Sequence, residues 1–252
     1  MKIVYSKKFE QKYPTNPVEN PDRVSLSAQE LRNYEFKEPE PASLNDIARI
    51  HGREHIEIVR HRGLYEAASL AAGGAVLSAE LAMQAEPSFA LIRPPGHHAS
   101  ANRSWGLCFF NNLAIAVQKI RPKAKKVLII DIDLHYGDGT VSIFRGDRDV
   151  KIVNPGCCDA EFEYLNLDSS IYIGLIEDAL ADAIYDVIGV SAGFDTYVED
   201  WGKLLRTEDY EEIGKVIRDG SLVCQGKRFA VLEGGYHSDL KYNIKSFIKG
   251  FE

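Results

Sequence analysis

Six short apolar runs recur along this chain with stretches of helical period between them, and that alternation restricts the fold more than any other feature. The runs are KIVY near the start, FALI at 89–92, KVLIIDID at 126–133, VKIV at 150–153, DVIGVSAG at 186–193 and FAVLEGG at 229–235. Each is too continuously apolar for a half-solvated strand, so all six are expected inside a sheet and none at its edge. Between them lie LYEAASLAAGGAVLSAELAMQA at 64–85, NNLAIAVQKI at 111–120, DYEEIGKVIRDGSLV at 209–223 and DLKYNIKSFIKGF at 239–251, all with apolar residues at three- and four-residue spacing. Strands alternating with helices imply an α/β fold: an open parallel sheet with helices on both faces. The 252 residues, 45% hydrophobic, suffice for one substantial core, and no Pro-, Gly- or Ser-rich linker divides them. A single domain over residues 1–252 is expected.

The net charge of −7 argues against a broad phosphate-binding surface, so nucleic acid is excluded as a direct ligand. The four cysteines, Cys108, Cys157, Cys158 and Cys224, include no CxxC pair, and MKIVYSKKFE lacks the long apolar segment of a signal peptide or membrane span. These features predict a reducing, cytoplasmic location away from membranes. The oligomeric state is left open.

The chemistry gathers where the apolar runs end, which is where open α/β sheets keep their binding crevices. After FALI comes RPPGHHA at 93–99, with His97 and His98 in a turn bracketed by proline and glycine. A His-His pair is by itself more often a surface turn, but a loop after PPG allows both rings to face one cavity. In VLIIDIDLHYGDGT, from Val127 to Thr140, Asp131, Asp133 and His135 stand at alternate positions, and residues i, i+2 and i+4 of an extended chain project to one side. A lone DxD fits a turn or a helix cap equally well. Two carboxylates and an imidazole buried together are costly without a cation, so DxDxH after an apolar strand points to a metal ion. Asp195 of SAGFD supplies a third carboxylate; Asp133, His135 and Asp195 then form a three-ligand set of the catalytic-zinc kind. Asp131 and Asp138 remain, two aspartates to orient two histidines. Tyr236, after the glycines of LEGGYH, is either a strand-end packing residue or a hydrogen-bond donor to an oxyanion.

RPPGHHA, GLCFFNNLAIA (106–116), DIDLHYGDGT, SAGFD and LEGGY together resemble the five ordered motifs of the histone deacetylase and acetylpolyamine amidohydrolase family, with matching order and spacing from about Leu70 to His237. The segment NPDRV (20–24) is similar to the family's His-Pro-Glu-Arg, without the histidine. The resemblance implies the arginase/deacetylase fold and hydrolysis of an acyl-amide bond by zinc held on Asp133, His135 and Asp195, with iron or cobalt able to occupy the same oxygen and nitrogen donors. It implies His97 and His98 as a general acid/base pair, Asp131 orienting His97, Asp138 orienting His98, and Tyr236 donating to the substrate carbonyl. A structural potassium ion near Asp131, Asp133 and His135 is known in the family, but Asn154 stands where one of its ligands would arise, so it is left out of the expected set.

The substrate pocket is expected to include Gly106, Leu107 and Pro155. The family's two tunnel aromatics are absent: Leu107 replaces one, and Asn154, Pro155 and Gly156 replace the Ser-Phe-His segment that carries the other. Without them, a straight acyl-lysine chain would be gripped less firmly. Short loops near 60–65 and 155–185 suggest a shallow, open site. The expected partner is an acylated amine, either acyl-lysine or a small polyamine-like molecule. A catalytically inactive binding module is the alternative from another class. An arginase-like ureohydrolase is disfavoured, because two-metal chemistry needs more bridging carboxylates than this chain has near Asp133 and Asp195.

Overall fold

The computed structural model describes residues 1–156, 167–182 and 184–252. Cys157 and Cys158, and part of the shortened 155–185 loop, lie outside the described residues. Seven parallel strands form one sheet: β1 Lys2–Val4, β2 Glu35–Lys37, β3 Ser88–Ala90, β4 Val127–Asp131, β5 Val150–Val153, β6 Val187–Ala192 and β7 Arg228–Leu232, in the order β2-β1-β3-β7-β6-β4-β5. Five of the six apolar runs are interior strands, buried on both faces as their composition requires. VKIV departs from expectation. It is β5, an edge strand with only Val150 fully buried, because Lys151 and its neighbours face partly outward. The other edge, β2 (EFK), is too short and too charged to register as an apolar run.

Helices cover both faces. Tyr65–Ala82 and Asn112–Ile120 pack together over β1, β3, β6 and β7, while Thr207–Gly220, Leu240–Phe251, Asp22–Glu30 and Ser169–Ala181 pack as a second group. The helical stretches read from the sequence end within three residues of these bounds. At the end of 209–223, Gly220 closes the α-helix and a 3-10 turn, Ser221–Cys224, continues the chain. Among the described residues, no helix is long and apolar enough to cross a membrane.

Topology fixes the site. β3, β7, β6 and β4 are consecutive neighbours, and β4, β6 and β7 end nearly level, Asp131 pairing with Ser191 and Ala192 with Leu232. The four segments that leave these strands, carrying His97/His98, Tyr236, Asp195 and Asp133/His135, therefore converge above the strands' C-terminal ends.

Candidate active site

β4 stops at Asp131, so Asp133 and His135 do not converge by strand alternation. The chain bends instead: Asp131 Oδ1 accepts from Asp133 N at 3.2 Å and Asp133 Oδ1 from His135 N at 2.9 Å, two successive side-chain turns of the kind aspartate favours. The bend separates roles that alternation would have merged. Asp131 turns to His97, its Oδ2 lying 3.0 Å from Nδ1, while Asp133 and His135 meet Asp195. Donor atoms of these last three lie within 4.8 Å of one another, with His135 Nδ1 at 3.1 Å from Asp133 Oδ1 and 3.0 Å from Asp195 Oδ2. Backbone N–H groups orient both carboxylates: Leu134 donates to Asp195 Oδ1 at 2.9 Å and Gly234 to Asp133 Oδ2 at 2.8 Å. Asp195 Oδ2 is fully buried and accepts no well-aligned hydrogen bond; its close polar neighbour is His135 Nδ1 at 3.0 Å, and sharing that nitrogen with Asp133 is a costly arrangement unless a cation sits among the three. Two carboxylates and an imidazole suit a divalent ion that accepts oxygen and nitrogen donors.

Gly234 keeps this cradle open. A Cβ there would stand 2.5 Å from Asp133 Oδ2 and 2.8 Å from Asp195 Oδ2, so one carboxylate would have to move. Gly234→Ala is expected to weaken divalent-metal binding by about 10- to 100-fold, the scale on which displaced ligand supports act. Competition against a chelating dye measures this, and unchanged affinity would remove these oxygens from the ligand set.

The adjacent histidines share the cavity wall, their rings 4.0 Å apart. His98 Nδ1 meets Asp138 Oδ1 at 2.7 Å, so each imidazole has its own carboxylate at Nδ1. Burial opposes the charged form of His97, but Asp133 and Asp131 outweigh it and hold that ring well above its ordinary value. Burial, then the neighbouring His97, depress His98 to about 4 against the pull of Asp138. Burial likewise opposes His135, yet Asp133 and Asp195 raise it to about 10; burial and Asp133 push Asp195 up to about 6. Below the pair, Glu233 accepts from the backbone N–H of Gly96 at 2.6 Å and of His97 at 3.1 Å, fixing the turn that carries both rings. Asn154 accepts from Gly137 N at 3.0 Å and so anchors the loop between His135 and Asp138.

Tyr236 faces the cavity across from the histidines. Asp200 Oδ2 accepts from the N–H groups of Tyr236 and His237 at 2.6 and 2.9 Å, and the Arg23 guanidinium lies over the Tyr236 ring at 4.8 Å. Burial raises its phenol well above the ordinary value, although Arg23 opposes this, so Tyr236 remains a donor.

The cavity measures about 180 Å³ and its wall includes Gly106 and Leu107. Both have positive φ, 57° and 69°, which costs Leu107 roughly 1–2 kcal/mol, and a Cβ at Gly106 would stand 2.4 Å from His98 Cδ2. Pro155 is buried and is not part of the described wall. The expected loss of aromatic walls needs correction: Trp105 and Trp201 both line the cavity. They stand one residue before Gly106 and six after Asp195, positions that motif matching passes over. Also outside the sequence-derived set is Glu19, buried between Arg23 and Arg93. The likeness of NPDRV to His-Pro-Glu-Arg pointed only to its partner Arg23; Glu19 stands just before that segment and carried no signal of its own.

This fold and this convergence define an α/β protein whose site is suited to a metal ion, with paired His-carboxylate couples beside it, and residues 17–155 match the family described as Histone deacetylase domain. The chain belongs to that family. A protein of Methanothermobacter thermautotrophicus named as a probable deacetylase is 32% identical over 309 aligned residues, covering 100% of this chain and 91% of the relative. Acetylpolyamine amidohydrolase 2 of Pseudomonas aeruginosa is 34% identical over 205 residues, 69% of this chain and 58% of the relative. The crystal structure of an acetylpolyamine aminohydrolase from Burkholderia pseudomallei shares the fold, with a TM-score of 0.85 at 22% identity, covering 100% of this chain and 98% of that one. Membership puts the chain among hydrolases that act on amide bonds.

Proposed function

We propose that residues 1–252 form a single catalytic domain, a zinc-dependent amidohydrolase that removes an acetyl or other acyl group from an amine. Asp133, His135 and Asp195 would hold the ion. The observation that carries this reading is the largely buried cluster of Asp133, His135 and Asp195, whose donor atoms lie within 4.8 Å of one another and in which Asp195 Oδ2 accepts no well-aligned hydrogen bond. Zinc supplies a Lewis acid and a water whose pKa is lowered to about 7. Iron or cobalt would fit the same donors.

The chain's own groups then have distinct tasks. Asp131 and Asp138 each engage Nδ1 of a histidine, which leaves Nε2 of His97 and of His98 as the nitrogens that handle protons. One imidazole takes a proton from the attacking water, and one returns a proton to the departing amine nitrogen. Tyr236 Oη donates to the substrate carbonyl oxygen, a bond that strengthens as negative charge develops there. Gly106 and Leu107 line the cavity that takes the acyl group and limit water around it.

The test is acetate release by metal-loaded protein from acetyl-lysine peptides, N-acetylpolyamines and simple acetylated amines, with chelated protein and Asp195→Asn alongside. Asparagine keeps the Leu134 contact and the volume but removes the charge. Metal affinity is expected to fall by at least about 100-fold, more than for a supporting group, with activity falling in step. Undiminished activity after chelation would overturn the proposal.

A further inference from the structure

The sequence contains two tryptophans, and both stand at this one cavity, with Trp105 45% and Trp201 52% exposed. Trp105 lies on the His98 ring with centroids 3.9 Å apart, and its Nε1 donates to Asp138 Oδ2 at 3.0 Å. Trp201 stacks on Tyr236 at 4.5 Å and 29°, and meets His135 edge-on at 5.8 Å. His98 and His135 are themselves 5.8 Å apart, so the four rings run in series with an indole at each end. The cavity holds about six times the roughly 30 Å³ share of one liquid water, room for an acyl group and the first methylenes. The rest of the amine must leave past the indoles.

We propose that Trp105 and Trp201 are the specificity-determining residues of the site, gripping the amine chain in place of the missing motif aromatics and selecting amines that carry a positive charge beyond the scissile bond. Indole faces are the strongest cation-binding aromatic surfaces, and a partly desolvated ammonium gains more from them than an exposed one does. Of the nearby acidic groups, Asp138 lies against Trp105, its Oδ2 accepting from the indole Nε1, while exposed Arg103 and Glu199, each two residues before one of the indoles, offset one another. The guanidinium nearest Tyr236, Arg23, is buried and already paired with Glu19. Each indole is pinned by ring contacts, so little side-chain freedom is lost on binding.

The inference rests on the amidohydrolase reading for its substrate but has a separate readout. Metal-loaded protein is assayed on N-acetylputrescine and on N-pentylacetamide, which has the same chain length with a methyl in place of the ammonium. The cationic amide is expected to have a KM about tenfold lower, with the advantage falling below about twofold in Trp105→Leu and Trp201→Leu and partly kept in the Phe variants. Trp105→Phe and Trp201→Phe each leave a single indole, whose fluorescence reports binding of putrescine against 1-pentanol, an uncharged chain with the same number of heavy atoms, without any turnover. Saturable quenching that favours putrescine is expected in both. Equal KM values in the parent, or a preference surviving both Leu variants, would overturn the proposal while leaving the amidohydrolase reading intact. Selective quenching by putrescine without cleavage of either amide would keep the indole pair and sink the amidohydrolase reading.

Discussion

Tyr236→Phe is expected to lower kcat/KM by about 100- to 1,000-fold, the usual cost of deleting one oxyanion donor, while metal content and Tm stay near the parent's. The substitution removes one oxygen and little else. Asp200 holds residue 236 through its backbone N–H, and the stack on Trp201 and the Arg23 contact use the ring, which phenylalanine retains. The loss should therefore fall on kcat and barely on KM, since the phenol bond is stronger in the transition state than with the ground-state carbonyl. Steady-state kinetics on the best acyl-amine substrate measure it. A loss smaller than about threefold would assign Tyr236 to packing at a strand end.

Glu19→Gln is expected to destabilise the fold by about 3–5 kcal/mol, because it leaves two buried guanidinium groups without their shared carboxylate. Glu19 accepts from Arg93 Nη2 at 2.7 Å and Nε at 2.9 Å, from Arg23 Nη1 at 3.0 Å, and from the Tyr13 hydroxyl. Arg23 also donates to the carbonyls of Gly235 and Glu233, tying the N-terminal segment to the loop that carries Tyr236. For a domain of this size the melting temperature should fall by on the order of 10 °C, read by circular dichroism, and a drop below about 2 °C would refute the prediction. The pH dependence has a definite sign. Burial opposes the Glu19 carboxylate, but the Arg93 and Arg23 contacts outweigh it and hold its pKa below the ordinary 4.5. A depressed carboxylate contributes its full stability above pH 4.5 and loses it as the pH falls through the lower folded-state value. The parent should thus shed stability below pH 4.5 that Glu19→Gln no longer has.

The strands that carry chemistry were legible because burial on both faces demands uninterrupted apolar runs, and RPPGHHA, DIDLHYGDGT, SAGFD and LEGGY follow those runs directly. β2 was not legible: three residues, two of them charged, carry no periodic signal. VKIV was misread as interior because edge strands keep apolar residues on the face that still packs. For the site, residue types at strand ends announced a metal-suited cluster and two His-carboxylate couples. They did not announce the indoles, since Trp105 and Trp201 are single residues whose neighbours in space come from other segments.

Composition and period by themselves determined a parallel α/β sheet, the strand ends where polar groups collect, and the donor types available there. Only the tertiary structure decided which carboxylate serves which partner: the bend after Asp131 sends its side chain to His97 while Asp133 and His135 turn to Asp195. Only it brought Trp105 and Trp201 to one opening, and Glu19 between Arg23 and Arg93, 70 positions further along the chain. The physical reason is one of range. Strand and helix periods are local consequences of backbone geometry and burial, whereas a pocket wall or a buried ion pair is made by segments that only the sheet order brings together.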